Sequence, residues 1–132
     1  RIRLPNGKSR DFFISAGYLL SPFLKFLIAR PRPDAATVQV LTTATDYSMP
    51  SGHALGVVLL GGMVALLIGR LAHHHQKILL GLVALVILLV GYSRIYLGVH
   101  WLSDVLAGYL LGLLWVILAL QIGHRNRKGV NA

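Results

Sequence analysis

The chain has 132 residues, 55% of them hydrophobic and 13% charged, with a formal net charge of +9. It is too apolar and too sparsely charged for an ordinary soluble domain, and its length suits one domain spanning residues 1–132. Cysteine and glutamate are absent, which excludes disulfides and thiolate chemistry, and the four acids Asp11, Asp34, Asp46 and Asp104 can hardly furnish a two-metal centre built from converging carboxylates.

Residues 1–10 are polar and basic, with a turn at Pro5-Asn6-Gly7. Phe12 to Ala29 is mostly apolar, broken by Ser21-Pro22 and Lys25, and reads as a membrane helix kinked at Pro22 and ended by Pro31 and Pro33. Asp34 to Met49 reads as a loop. A second helix is expected from Ser51 to Gly69, a basic turn from Arg70 to Lys77, a third helix from Ile78 to Tyr92 and a fourth from Leu102 to Ile122, with a polar tail from Gly123. His73-His74-His75 falls in that basic turn and reads as a solvated linker, because adjacent residues do not share a helix face. Gly108 and Gly112 form a small-xxx-small pair suited to close helix packing.

Ala54 to Gly69 is only 16 residues. That is roughly 24 Å of helix against a hydrocarbon core of about 30 Å, so flanking residues must complete the crossing. The expected fold is all-α, an integral membrane bundle with four transmembrane helices.

The basic residues orient it. If the four helices alternate, Arg1, Arg3, Lys8, Arg10, Arg70, Lys77, Arg125, Arg127 and Lys128 share one side, which the positive-inside rule makes cytoplasmic. Lys25, Arg30, Arg32 and Arg94 fall on the other side, with Tyr47, Tyr92, Tyr96 and Trp101 as interface anchors. Cations that defy the rule and converge call for an anionic ligand. This placement argues for a membrane and an anionic ligand as partners, and against nucleic acid.

Three clusters lie on that outer side. Lys25 with Arg32-Pro33 supplies a point charge and a planar fork for phosphate. Pro50-Ser51-Gly52-His53 opens a helix, where free N–H groups and the helix dipole favour an anion and glycine allows close approach. Ser93-Arg94 precedes His100 and Asp104, which are four apart and on one face if helical. Each has a plainer reading: snorkelling cations, a Ser51 cap, an Asp104 cap beside an interfacial histidine. Arg30 lies outside the pattern and is read as a headgroup contact. Two histidines flanking an anion could supply a nucleophile for phosphorus and an acid for the departing oxygen.

Lys25, six residues, Arg32-Pro33; Pro50-Ser51-Gly52-His53; Ser93-Arg94, five residues, His100, three residues, Asp104: this three-part pattern resembles the signature of the type 2 phosphatidic acid phosphatase (PAP2) superfamily. The resemblance covers residues 25 to 104. It implies His100 as nucleophile through a phosphohistidine, Asp104 orienting it, His53 as general acid, and Lys25, Arg32, Ser51, Gly52 and Arg94 holding phosphate oxygens, with no metal and no cofactor. It further implies a six-helix protein of which this chain is the C-terminal part, N-terminally truncated. The implied activity is hydrolysis of a lipid phosphate or diphosphate such as undecaprenyl diphosphate, phosphatidylglycerophosphate or phosphatidic acid, on the extracytoplasmic face of a bacterial inner membrane. A lipid phosphotransferase using the same histidine, a vanadium haloperoxidase with the same signature and a non-catalytic protein binding anionic lipid are the alternatives.

Overall fold

The structure, a computed structural model, describes residues 7–71 and 74–128. Arg1, Arg3, the Pro5-Asn6 part of the first turn, His73 and residues 129–132 lie outside them. Four helices follow in chain order: α1 (Gly7–Ile28), α2 (Gly52–Leu71), α3 (Gln76–Tyr96) and α4 (Leu102–Lys128). No strand occurs among the described residues. The all-α expectation therefore holds, but three helices run past their apolar stretches. α1 starts at Gly7 rather than Phe12, α3 continues to Tyr96, and α4 runs to Lys128. Lysine, arginine and glutamine are good helix formers, so helices continue through polar flanks that hydropathy alone would leave out.

The segments Gly52–Gly69, Gln76–Tyr96 and Leu102–Ile122 are long and apolar enough to cross a membrane. In α1 the apolar stretch among the described residues is the shorter Leu19–Ile28, and the helix continues through Pro22. It ends at Ala29, whose positive φ of 49° turns the chain out of the helix while its N–H still bonds the Lys25 carbonyl at 2.9 Å. Arg30 precedes Pro31 and is thereby steered away from helical geometry. The chain then leaves as Arg30-Pro31-Arg32-Pro33.

α2 is the central helix: it packs most extensively on α4 and α3 and also carries α1. The glycine pair works within the chain. A Cβ at Gly108 would lie 2.6 Å from the Ser51 carbonyl oxygen and 2.9 Å from the Ala54 Cβ, and one at Gly112 would lie 2.8 Å from the Val58 Cβ. Backbone contact of this kind holds helices together where lipid removes the hydrophobic drive.

The buried side chains gather near one end. Ala54, Leu55, Leu59, Val99 and Val105 are the buried apolar residues, beside buried Ser21, Ser48, Ser51, His100 and Asp104. Along the shafts Leu82, Leu85, Leu88, Leu89, Leu106, Leu110 and Leu113 are exposed. An apolar exterior around a partly polar interior suits lipid as solvent.

Candidate active site

α1 and α3 finish where α2 and α4 begin, so four helix ends meet. The Asp34–Met49 loop closes over them. Its Leu41 N–H donates to the Leu97 carbonyl at 3.1 Å and its Ser48 N–H to the Arg30 carbonyl at 2.9 Å. Gly98, at a φ of +69°, lets the loop approach: a Cβ there would lie 2.5 Å from the Gln39 carbonyl oxygen. An L side chain would suffer both the backbone conformation and that contact.

Beneath the loop lies a cavity of about 610 Å³, lined by Lys25, Arg32, Asp46, Gly52, His53, Arg94 and His100, with Ser21, Pro22, Leu55, Val99 and Thr42 to Ala44 completing its wall. Six of the eight sequence-predicted residues thus face one space. The other two stand behind it. Asp104 is fully buried and stands against His100.

Ser51 differs from the expectation that it faces the anion. It is fully buried and does not line the cavity. Its hydroxyl accepts from the Ala54 N–H at 3.4 Å, an N-cap contact, and its own N–H donates to the Asp104 carbonyl at 3.0 Å. Here Ser51 fastens the start of α2 to α4, and the part of that turn that lines the cavity is Gly52 and His53.

His100 sits in the turn before α4 and is 5% exposed. Its Nε2 lies 3.3 Å from Arg32 Nη1. A guanidinium only donates, so Nε2 accepts and the ring proton belongs on Nδ1. Nδ1 faces Asp104 Oδ2 at 3.6 Å, too far for a hydrogen bond, and makes no well-formed hydrogen bond among the described residues. Burial pushes the imidazole down from its ordinary 6.5 to about 4, helped by the charges of Arg32 and Lys25 and opposed by Asp104 and the Ser48 backbone. The ring is therefore neutral near pH 7, with a lone pair turned toward the cations.

Asp104 does two things at once. Its Oδ2 accepts from the Trp101 N–H at 2.8 Å, three residues back, which caps the start of α4. The same oxygen faces His100 and accepts from the Ser48 hydroxyl. The helix cap and the approach to the histidine ring thus share one carboxylate oxygen.

Two residues that sequence reasoning passed over are central here. Asp46 bridges Lys25 and Arg32 within the cavity wall. Partial burial raises its carboxyl, but hydrogen bonds from Lys25 and Arg32 and their charges carry it down to about 2. Arg32 is further fixed by its Nη1 donating to the Val99 carbonyl at 2.6 Å and its Nε to the Asp46 carbonyl at 2.8 Å. Arg30, read from the sequence as a headgroup contact, turns inward as well: its Nη1 donates to Asp104 Oδ1 at 2.8 Å. The available signal was the tally of charges on the outer side, where Asp46 and Asp104 would need cationic partners from among Lys25, Arg30, Arg32 and Arg94.

Chemically, the cavity offers three cations, a helix N-terminus, one histidine whose lone pair meets Arg32 at the cavity wall, and a second, exposed histidine. These features suit capture of a phosphate and attack on its phosphorus. The profile of the PAP2 superfamily matches residues 12–128, and the chain belongs to that superfamily. It is similar to phosphatidylglycerophosphatase B of Bacillus subtilis, with 37% identity over 113 residues, 83% of this chain and 54% of the relative. It is likewise similar to an undecaprenyl-diphosphatase of Sulfolobus acidocaldarius, with 41% identity over 107 residues, 79% of this chain and 48% of that one. Among solved structures, a transmembrane PAP2 type phosphatidylglycerolphosphate phosphatase from Bacillus subtilis superposes with a TM-score of 0.78 at 33% identity, covering 88% of this chain and 58% of that chain. Aquifex aeolicus LpxE superposes with a TM-score of 0.68 at 29% identity, covering 86% and 66%. The chain spans about half the length of the curated relatives it matches.

Proposed function

We propose that this chain carries the active site of a metal-independent membrane phosphatase acting on a lipid phosphate or diphosphate. The observation that supports it best is His100, a buried neutral imidazole whose Nε2 faces Arg32 in a cavity also lined by Lys25, Arg94 and His53. Bound phosphate displaces Asp46 from Lys25 and Arg32, and Arg94 and the Gly52 turn complete the cradle. Nε2 of His100 attacks phosphorus and the bond from phosphorus to the leaving oxygen breaks. His53 gives that oxygen its proton. The imidazolium formed on His100 is stabilised as Nδ1–H closes on Asp104. Water then attacks the phosphohistidine with His53 taking its proton, the nitrogen–phosphorus bond breaks, and phosphate leaves.

In this reading α1 makes a fourth crossing and the site opens on the extracytoplasmic face of the cell membrane, since the basic helix ends lie opposite. The named relatives act on phosphatidylglycerophosphate and undecaprenyl diphosphate, so both lipids are candidate substrates, with phosphatidic acid beside them. The test is phosphate release by purified protein in detergent with EDTA present, using these three lipids and His100→Ala as control. Release that survives chelation and disappears in the variant is expected, with one lipid preferred. Near-normal release by His100→Ala would overturn the assignment of the nucleophile.

A further inference from the structure

A buried carboxylate must be matched by a cation and by hydrogen bonds to all its lone pairs, or its desolvation is uncompensated. Asp104 is fully buried. None of the signature cations touches it. The cation that does is Arg30, whose Nη1 lies 2.8 Å from Oδ1. That leaves Oδ2 for the Trp101 N–H, the Ser48 hydroxyl and His100.

Arg30 is itself locked in place. The same Nη1 donates to the Ser103 hydroxyl at 2.6 Å, and the guanidinium carbon lies 5.8 Å from the Trp101 ring centroid, within cation–π range. The Arg30 carbonyl accepts the Ser48 N–H at 2.9 Å, so this residue fixes the hydroxyl that reaches Oδ2 as well as the charge that meets Oδ1. The Trp101 indole N–H donates to the Pro31 carbonyl at 3.3 Å, closing the ring of contacts. Arg30 does not line the cavity that holds His100; it lines an adjoining one, which shares Lys25, Arg32 and Asp46 with it, so its part is told from a substrate contact by kinetics.

We infer that Arg30 is a positioning residue for His100: it acts through Asp104, holding the carboxylate by side chain and, via Ser48, by backbone, so that Oδ2 stays aimed at Nδ1. The inference rests on His100 being the nucleophile. It differs from a substrate contact in what it does to the kinetics. Losing a group that aims the reacting atom costs kcat, whereas losing a headgroup contact raises KM.

The experiment measures kcat and KM for His100→Ala, Arg30→Met, Arg30→Lys, Asp104→Asn and the Arg30→Met/Asp104→Asn double variant. Arg30→Met is expected to lower kcat by about 10- to 100-fold with KM held within about twofold. Arg30→Lys recovers part of the loss, since one nitrogen makes both polar contacts. The double variant is no slower than Asp104→Asn alone, because Arg30 has nothing left to aim. A raised KM with normal kcat, or losses that multiply in the double variant, would overturn the inference. If Arg30→Met does not fold, Arg30→Lys decides alone: lower kcat at unchanged KM supports the role, and wild-type kcat defeats it. Turnover retained by His100→Ala defeats the nucleophile reading itself, whereas an inactive His100→Ala beside a fully active Arg30→Met defeats only the role of Arg30.

Discussion

At the end where the four helices meet, the fully buried side chains include Ser48, Ser51 and Asp104, and donors from three separate segments converge on one carboxylate. Along the shafts of α3 and α4, leucines stand open to the surroundings. The first region is held by directed polar contacts and the second by shape. In lipid an exposed leucine costs nothing and a buried one gains little, so the shafts need close backbone approach instead of apolar burial. The polar end works the other way: each group removed leaves another uncompensated.

Gly108 is where the two regions join, since its space is taken by the Ser51 carbonyl and the Ala54 Cβ. Gly108→Leu should push α4 off α2, destabilise the protein by about 3 kcal/mol or more and abolish turnover, read by thermal unfolding in detergent and by phosphate release. Leu110→Ala, two residues along on an exposed position, should change stability by less than about 0.5 kcal/mol. Comparable losses in both would erase the distinction.

A second test uses pH. Because the folded state holds the His100 pKa below its ordinary 6.5, at about 4, the neutral ring persists well into acid. The acid limb of kcat/KM due to this group should fall near pH 4, by about tenfold per unit below it. The same shift makes the folded state bind fewer protons than the unfolded chain. Nothing is lost above pH 6.5, and stability should decline as pH falls from 6.5 through about 4. A limb from this group at its ordinary value would mean that neither burial nor the neighbouring cations act on it.

A smaller effect concerns Asp46, which occupies Lys25 and Arg32 itself. Asp46→Asn should tighten inhibition by inorganic phosphate by about 3- to 10-fold, because the competing anion is removed. Weaker inhibition would show that Asp46 chiefly aligns the two cations. Smallest of all, Ala29→Gly should relieve the left-handed backbone at the end of α1, with a gain below about 1 kcal/mol once the added freedom of the unfolded chain is subtracted. No gain in thermal unfolding would mean that the turn is unstrained.

The local patterns made much of this visible beforehand. Helix identities followed from apolar runs, and the cavity's cations and histidines followed from short spacings around Pro33, Pro50 and Asp104. What stayed hidden were contacts across the fold. Arg30 and Asp104 are 74 positions apart and Ser48 and Asp104 are 56 apart, and no periodicity links them. Ser51 shows the converse: its place in the pattern pointed at the anion, while the tight α2–α4 approach at Gly108 turned it inward. The helix ends were misjudged for a simpler reason, since hydropathy reports where lipid is tolerated and not where helical hydrogen bonding stops.

The double employment of Asp104 has a consequence for how this protein tolerates sequence drift. One oxygen both starts a helix and faces the histidine, so under the proposed mechanism a replacement must satisfy assembly and chemistry together. A neutral amide could still accept from Trp101 yet would carry no charge for the ring. A longer acid would keep the charge but shift its origin by a methylene. Position 104 is thus closed to neutral exploration from two directions, and a loss of activity there would not by itself reveal which duty had failed.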